Sequence, residues 1–178
     1  LLGTIIKPKL GLKTKDHAQV AYEAWLGGCD FVKDDENLAS QEFNIFEERL
    51  ARTLEMANKA EDETGEKKAY LVNVTAETKE MLKRAQLAED LGGKFIMVDF
   101  LTVGFSALQT LRNANFKLAI HGHRASHAAM TRNKKHGIRM IVLADFARLI
   151  GIDSLHIGTG IGKLEGNIKD IVELEQEM

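Results

Sequence analysis

Four consecutive side chains that can do chemistry, Lys33, Asp34, Asp35 and Glu36, follow directly on the apolar residues Phe31 and Val32. Carboxylate oxygens suit a hard cation such as magnesium, whereas an ammonium cannot coordinate one. The lysine therefore needs its own explanation. As a neutral amine, Lys33 can react with CO2 and become a carbamate, which would add a third anionic oxygen donor to those of Asp35 and Glu36. The neutral form is scarce for an ordinary lysine, whose pKa is about 10.4. Burial and the cations Lys7 and Lys9 would lower that value, while Asp35 and Glu36 would raise it. Taken as an isolated string, the same residues also match a solvated charge run on a surface.

Three further segments carry reactive or anion-binding groups. Lys7 and Lys9 flank Pro8, the only proline of the chain. The ring fixes its own φ and pushes Lys7 toward an extended conformation, so the two amines are held rather than loose. One could move a proton and the other grip an anion; a plain basic turn fits the loop equally well. His121-Gly122-His123-Arg124, with His127 beyond, pairs a group that titrates near neutrality with one that binds phosphate in a bidentate manner. Zinc is disfavoured, because no Cys or HExxH partner stands at ligand spacing. His121 and His127 also read as ordinary hydrogen-bonded histidines. The last segment, His156-Ile157-Gly158-Thr159-Gly160-Ile161-Gly162-Lys163, lacks both the GxGxxG spacing of a dinucleotide loop and the Walker pattern. A glycine-rich lid carrying Lys163 fits it, as does a simple exposed loop.

Something must bring these segments together. Apolar runs rich in β-branched and aromatic residues recur at 2–6, 29–32, 69–72, 95–98, 118–120 and 154–157, as buried parallel strands would. Helical patterns lie between them at 15–26 with Thr14 as N-cap, and at 43–60, 78–91, 105–113 and 138–150; a sixth begins over 167–178. In the second, Phe43, Phe46, Leu50, Leu54 and Ala57 share one face able to cover a sheet. Glycines 27–28, 65, 92–93 and 151 stand where helices must stop, in places suited to a left-handed cap. The alternation specifies an α/β fold. Each apolar run ends on or next to a polar group: Lys7, Lys33, Asn73, Asp99, His121 and His123, and His156. A doubly wound sheet gathers ligand groups at one switch point, but a (β/α)8 TIM barrel collects them from all its strands, so the distribution favours the barrel. Six βα units are present where a barrel of about 250 residues has eight.

Composition narrows the function. The chain has 178 residues, 44% hydrophobic and 28% charged, with net charge −2, which is enough apolar content for a core. Its lysines and arginines are interspersed with acids, which argues against nucleic acid or a membrane surface as partner and leaves a small molecule. The single cysteine, Cys29, excludes an internal disulfide and suits a reducing, cytoplasmic setting.

The segments TIIKPKLGL (4–12), GGCDFVKDDEN (27–37), HGHRASHA (121–128) and HIGTGIGKLEG (156–166) resemble the large subunit of ribulose-1,5-bisphosphate carboxylase/oxygenase (RuBisCO), in that family's order and across the full length of the chain. The resemblance implies carbon dioxide fixation: carboxylation of ribulose 1,5-bisphosphate through a magnesium-stabilised enediolate to two 3-phosphoglycerates, with competing oxygenation by O2. It implies Mg2+ as cofactor and CO2 as activator, held as the carbamate of Lys33 beside the metal ligands Asp35 and Glu36. Lys7 and His123 would transfer protons and Lys163 would stabilise the carboxylation transition state, while Lys9, Arg124 and His156 would bind substrate. Asn73 and Asp99 would lie near the site. Ile5 replaces a substrate-binding threonine of plant-type enzymes, which, with the GLKTKDHA segment (11–18), looks more like archaeal form III. The family assembles as a homodimer or an oligomer of dimers. Residues 1–178 would then be part of the C-terminal catalytic barrel domain, from strand 1 to the start of helix 6, without the N-terminal domain or strands 7 and 8. An alternative within the same class is a RuBisCO-like enolase or isomerase; a silent assembly subunit fits the polar set poorly.

Overall fold

The computed structural model describes residues 1–158 and 168–177. Strands β1 (Gly3–Ile5), β2 (Phe31–Lys33), β3 (Ala69–Asn73), β4 (Phe95–Asp99), β5 (Ala119–His123) and β6 (Ser154–Leu155) form one parallel sheet in the order β1-β2-β3-β4-β5-β6. A doubly wound sheet reverses its strand order partway; this one never does, so it has the winding of a barrel. The register also advances. Phe31 pairs with Ala69, but it is Leu71 that pairs with Phe95, and Ala119 pairs with Phe95 while His121 pairs with Ser154. Such stagger is what tilts strands around a closed barrel axis. The fold is α/β, the first six βα units of a (β/α)8 barrel.

Helices cover the outside: α1 (Thr14–Leu26), α2 (Phe46–Thr64), α3 (Thr78–Asp90), α4 (Phe100–Val103), α5 (Phe105–Asn113), α6 (His127–Thr131), α7 (Met140–Ile150) and α8 (Ile168–Glu177). In α1 the buried residues His17, Ala18, Ala21, Tyr22 and Trp25 recur at helical spacing and form one stripe. Thr14 is the first residue of that helix and not its cap; Lys13 holds the cap position. The second helix begins at Phe46, later than the sequence pattern suggests, because residues 41–44 form a turn closed by a Gln41–Asn44 bridge and the Phe46 amide donates to Ser40 Oγ at 3.1 Å. Phe43 consequently lies off the buried face and is 37% exposed, while Phe46, Leu50 and Ala57 are buried as expected. Gly28, Gly65, Gly92 and Gly151 adopt positive φ after their helices, but Gly27, at φ −72°, and Gly93 do not. The short helices α4 and α6 have no apolar periodicity of their own by which the sequence could announce them.

Strand alternation sorts the side chains into two sets. Val32, Tyr70, Val72, Ile96, Val98 and Ile120 point toward the helices and join Ala21, Trp25, Leu50, Met81, Ala85 and Leu111 in the main hydrophobic core. Their neighbours along the same strands, Lys33, Asn73, Met97, Asp99, His121 and His123, are the other set and face the barrel interior.

Candidate active site

Lys33 ends β2 with only 3% of its surface exposed, and its Nζ donates to the Asp34 carbonyl at 3.0 Å and to Met97 Sδ at 3.4 Å. A surface lysine is thereby ruled out. Burial lowers its pKa, against the opposing pull of Glu36, Asp34, Asp35 and Asp99. The Glu36 carboxylate lies 3.9 Å from Nζ. Asp35 is buried and accepts from the Asn37 amide at 2.9 Å and from Lys7 Nζ. Burial would raise the Asp35 pKa, but the hydrogen bonds from Lys7 and Asn37 bring it below its ordinary value, so the carboxylate is charged.

The loop bearing these groups is tied to β3. Asn73 Nδ2 donates to the carbonyls of Glu36 at 2.9 Å and Leu38 at 3.2 Å, which stops the segment after Lys33 from swinging away from the barrel mouth. On the opposite side, Asp99 Oδ1 stands 3.0 Å from His123 Nδ1, and His123 Nε2 is 3.9 Å from Glu36. The Ala125 amide also approaches His123 Nδ1, at 3.2 Å. The two contacts demand different tautomers. The Ala125 amide meets Nδ1 with hydrogen-bond geometry, whereas Asp99 Oδ1, although close, makes no hydrogen bond among the described residues. In the neutral ring Nδ1 is therefore the acceptor and Nε2 carries the proton, on the side of Glu36.

His156 stacks on His123 with ring centroids 5.1 Å apart. Its pKa falls to about 4 through burial and through the electrostatic influence of His123, Lys33 and Arg124. Arg124 is buried and its Nε lacks a hydrogen-bond partner among the described residues. Gly158 explains how the guanidinium fits: a Cβ there would stand 2.0 Å from Arg124 Nη2, and its φ of +105° already favours glycine. A cleft of about 520 Å³ opens beside Arg124 and is lined by His127, Arg132, Lys134 and Arg139 among others. It adjoins the arginine and not Lys33, so volume alone does not locate the chemistry.

Lys7, Lys33, Asp35, Glu36, His123, His156 and Arg124 thus converge at the carboxyl ends of β1, β2, β5 and β6. Lys9 is exposed on the β1 loop and makes no hydrogen bond or ion pair among the described residues. Lys163 lies outside the described residues. The description ribulose bisphosphate carboxylase large chain, catalytic domain, matches residues 1–177. The chain belongs to that family.

Curated relatives named ribulose bisphosphate carboxylase include one from Methanocaldococcus jannaschii, 58% identical over 178 residues and covering 100% of this chain, and one from Pyrococcus abyssi, 47% identical over 176 residues and covering 98%. This chain spans 42% of the length of each. Among solved structures, it is similar to a dimeric archaeal Rubisco from Hyperthermus butylicus, with TM-score 0.92 and 49% identity over 99% of this chain and 41% of that one. It is also similar to an octameric Rubisco from Pyrococcus horikoshii, with TM-score 0.92 and 46% identity over 97% of this chain and 42% of that one.

Within this RuBisCO-family chain, three features escaped sequence reading. Met97 lies against the Lys33 amine. His121 is more than a satisfied histidine: Nδ1 meets Ser154 Oγ at 2.9 Å but Nε2 is buried without a partner, and burial with nearby Lys33, His156 and His123 lowers its pKa to about 3. Asp34 does not face the interior at all. Counting by twos from Val32, an outward position, would have separated Asp34 from Lys33 and Asp35.

Proposed function

We propose that this chain carries the metal and substrate centre of a ribulose-1,5-bisphosphate carboxylase/oxygenase that converts ribulose 1,5-bisphosphate and CO2 to two 3-phosphoglycerates. The observation that carries the reading is a buried lysine amine whose pKa burial lowers, with two carboxylates at its side. Among the described residues, no three or more His, Cys, Asp or Glu are grouped to hold a metal ion by themselves. Asp35 and Glu36 therefore need a third anionic donor, and the carbamate of Lys33 is the group that CO2 would create there. This all-oxygen donor set fits magnesium. Bound magnesium would supply positive charge to substrate oxygens as negative charge develops on them.

The remaining steps belong to the chain's own groups. Lys7, bonded to Asp35 and with its side chain 55% exposed, and His123, beside Asp99, flank the two carboxylates as proton carriers. Arg124, with an unpartnered buried Nε, and His156 beside it are suited to hold a phosphate group. Lys9 joins as a second anion-binding cation, and Lys163 is assigned to the carboxylation step. The dimeric and octameric relatives support assembly as a dimer or an oligomer of dimers, and their archaeal sources agree with form III. No helix among the described residues is long and apolar enough to cross a membrane.

The test is a labelled-CO2 assay on the full-length protein with magnesium and ribulose 1,5-bisphosphate. Label in 3-phosphoglycerate is expected. Its absence sinks the carboxylase reading, and isomerised sugar phosphate in its place would assign the chain to the RuBisCO-like enolases and isomerases.

A further inference from the structure

Asp34 stands in sequence between the two residues proposed to build the metal site, yet its side chain faces the other way. Alternation turns the carboxylate into the layer between sheet and helices, where it is fully buried. Oδ1 accepts from the Tyr70 hydroxyl at 2.6 Å and lies 3.1 Å from His17 Nε2; Oδ2 accepts from the Asn73 amide at 3.0 Å and from Arg49 Nε at 3.2 Å. One carboxylate thereby joins α1, α2 and β3. Arg49, also fully buried, donates its other N–H groups to the carbonyls of Asn44 at 2.9 Å and Ala39 at 2.8 Å, in the loop that leads away from Glu36. Burial alone would raise the Asp34 pKa, but Arg49, His17 and Tyr70 hold it at about 2.

A buried ion pair is not needed for stability, since well-packed apolar residues of similar volume do as well or better. What apolar residues cannot do is fix direction. Four directional contacts on one carboxylate leave the backbone at position 34 little freedom to rotate about its own axis. Rotation there would carry Lys33 and Asp35 out of the interior together, and the Asp34 carbonyl that now receives the Lys33 amine would move with them.

We propose that Asp34, clamped by Arg49, Tyr70 and His17, is a positioning residue that aims Lys33 and Asp35 at one interior point and so sets the affinity of the site for CO2 and a divalent cation. The inference rests on the reading of Lys33 as the carbamate former. Groups that orient metal ligands in this way are typically worth about 10–100-fold in metal affinity.

The decisive measurement is the ¹³C carbamate signal of the full-length protein under ¹³CO2 as magnesium is titrated, alongside thermal melting of the metal-free protein. For Asp34→Asn the magnesium concentration at half-maximal signal rises by ~10-fold or more, and for Tyr70→Phe by roughly 3-fold. A lowered melting temperature with half-saturation within twofold of the unmutated protein assigns Asp34 to stability only and overturns the proposal. Should Asp34→Asn not fold, Tyr70→Phe, which removes one hydroxyl and leaves the Asp34–Arg49 pair in place, decides by the same criterion. A magnesium-dependent signal absent from the unmutated protein overturns the carbamate reading itself, and the inference with it.

Discussion

Lys33 concentrates the chemistry of this chain because its burial and its neighbours pull in opposite directions. Desolvation favours the neutral amine that CO2 needs, and the surrounding carboxylates favour the ammonium. Carbamate formation would resolve the conflict by turning a cation into an anion that a divalent ion can then neutralise. Lys33→Met in the full-length protein should abolish CO2-dependent activation, lowering carboxylation by at least about 100-fold, beyond the usual cost of losing an outer ligand support. Unchanged activity would remove Lys33 from the mechanism. His121 and His156 carry a separate, pH-dependent consequence. Their folded pKa values, about 3 and about 4, lie below the ordinary 6.5, so the unfolded chain binds more protons between these values. Stability from keeping them neutral is complete above pH 6.5 and is lost as pH falls through about 4 and then about 3. Metal-free protein should therefore melt at progressively lower temperature as pH drops below 6.5, with the two imidazole resonances still those of neutral rings near pH 5. Imidazolium shifts appearing near pH 6.5 in folded protein would contradict this.

At the scale of elements, each strand delivers its polar group because its other face is fastened to helices. β5 is the clearest case: Ile120 and Gly122 face outward while His121 and His123 face inward. Gly122 is small for a reason. An added Cβ would lie 3.0 Å from Ile152 Cδ1 and 3.3 Å from Leu155 Cδ1. Gly122→Ala should cost about 1–3 kcal/mol, toward the lower end because both obstacles are ends of movable side chains. Denaturant unfolding measures it, and an unchanged midpoint would mean that β6 yields without cost. The existence, order and type of the larger elements were legible in the sequence, since a strand buried on both sides and an amphipathic helix leave distinct periods. Helix starts were less so. Nothing in residues 43–46 announces that Ser40 Oγ receives the Phe46 amide, and that contact excludes Phe43 from the helix.

Over the whole molecule, the sheet of described strands is open, with β1 at one end and β6 at the other. A barrel site needs all its strand ends, and this chain spans 42% of its curated relatives' length. The 178-residue chain by itself should incorporate no labelled CO2 into 3-phosphoglycerate, while the full-length protein should do so and elute as a dimer or larger assembly. Turnover by the isolated chain would show that six of the eight βα units suffice. The βα rhythm, the polar residue at each strand end and the family can all be read along the chain, because periodicity and motif order are properties of a linear string. That Lys33 is buried, that His123 lies against Asp99 of a neighbouring strand, and that Asp34 turns outward to Arg49 is visible only once the chain is folded. Those facts depend on residues far apart in the chain, and burial, tautomer and charge follow from which of them meet when the sheet curls.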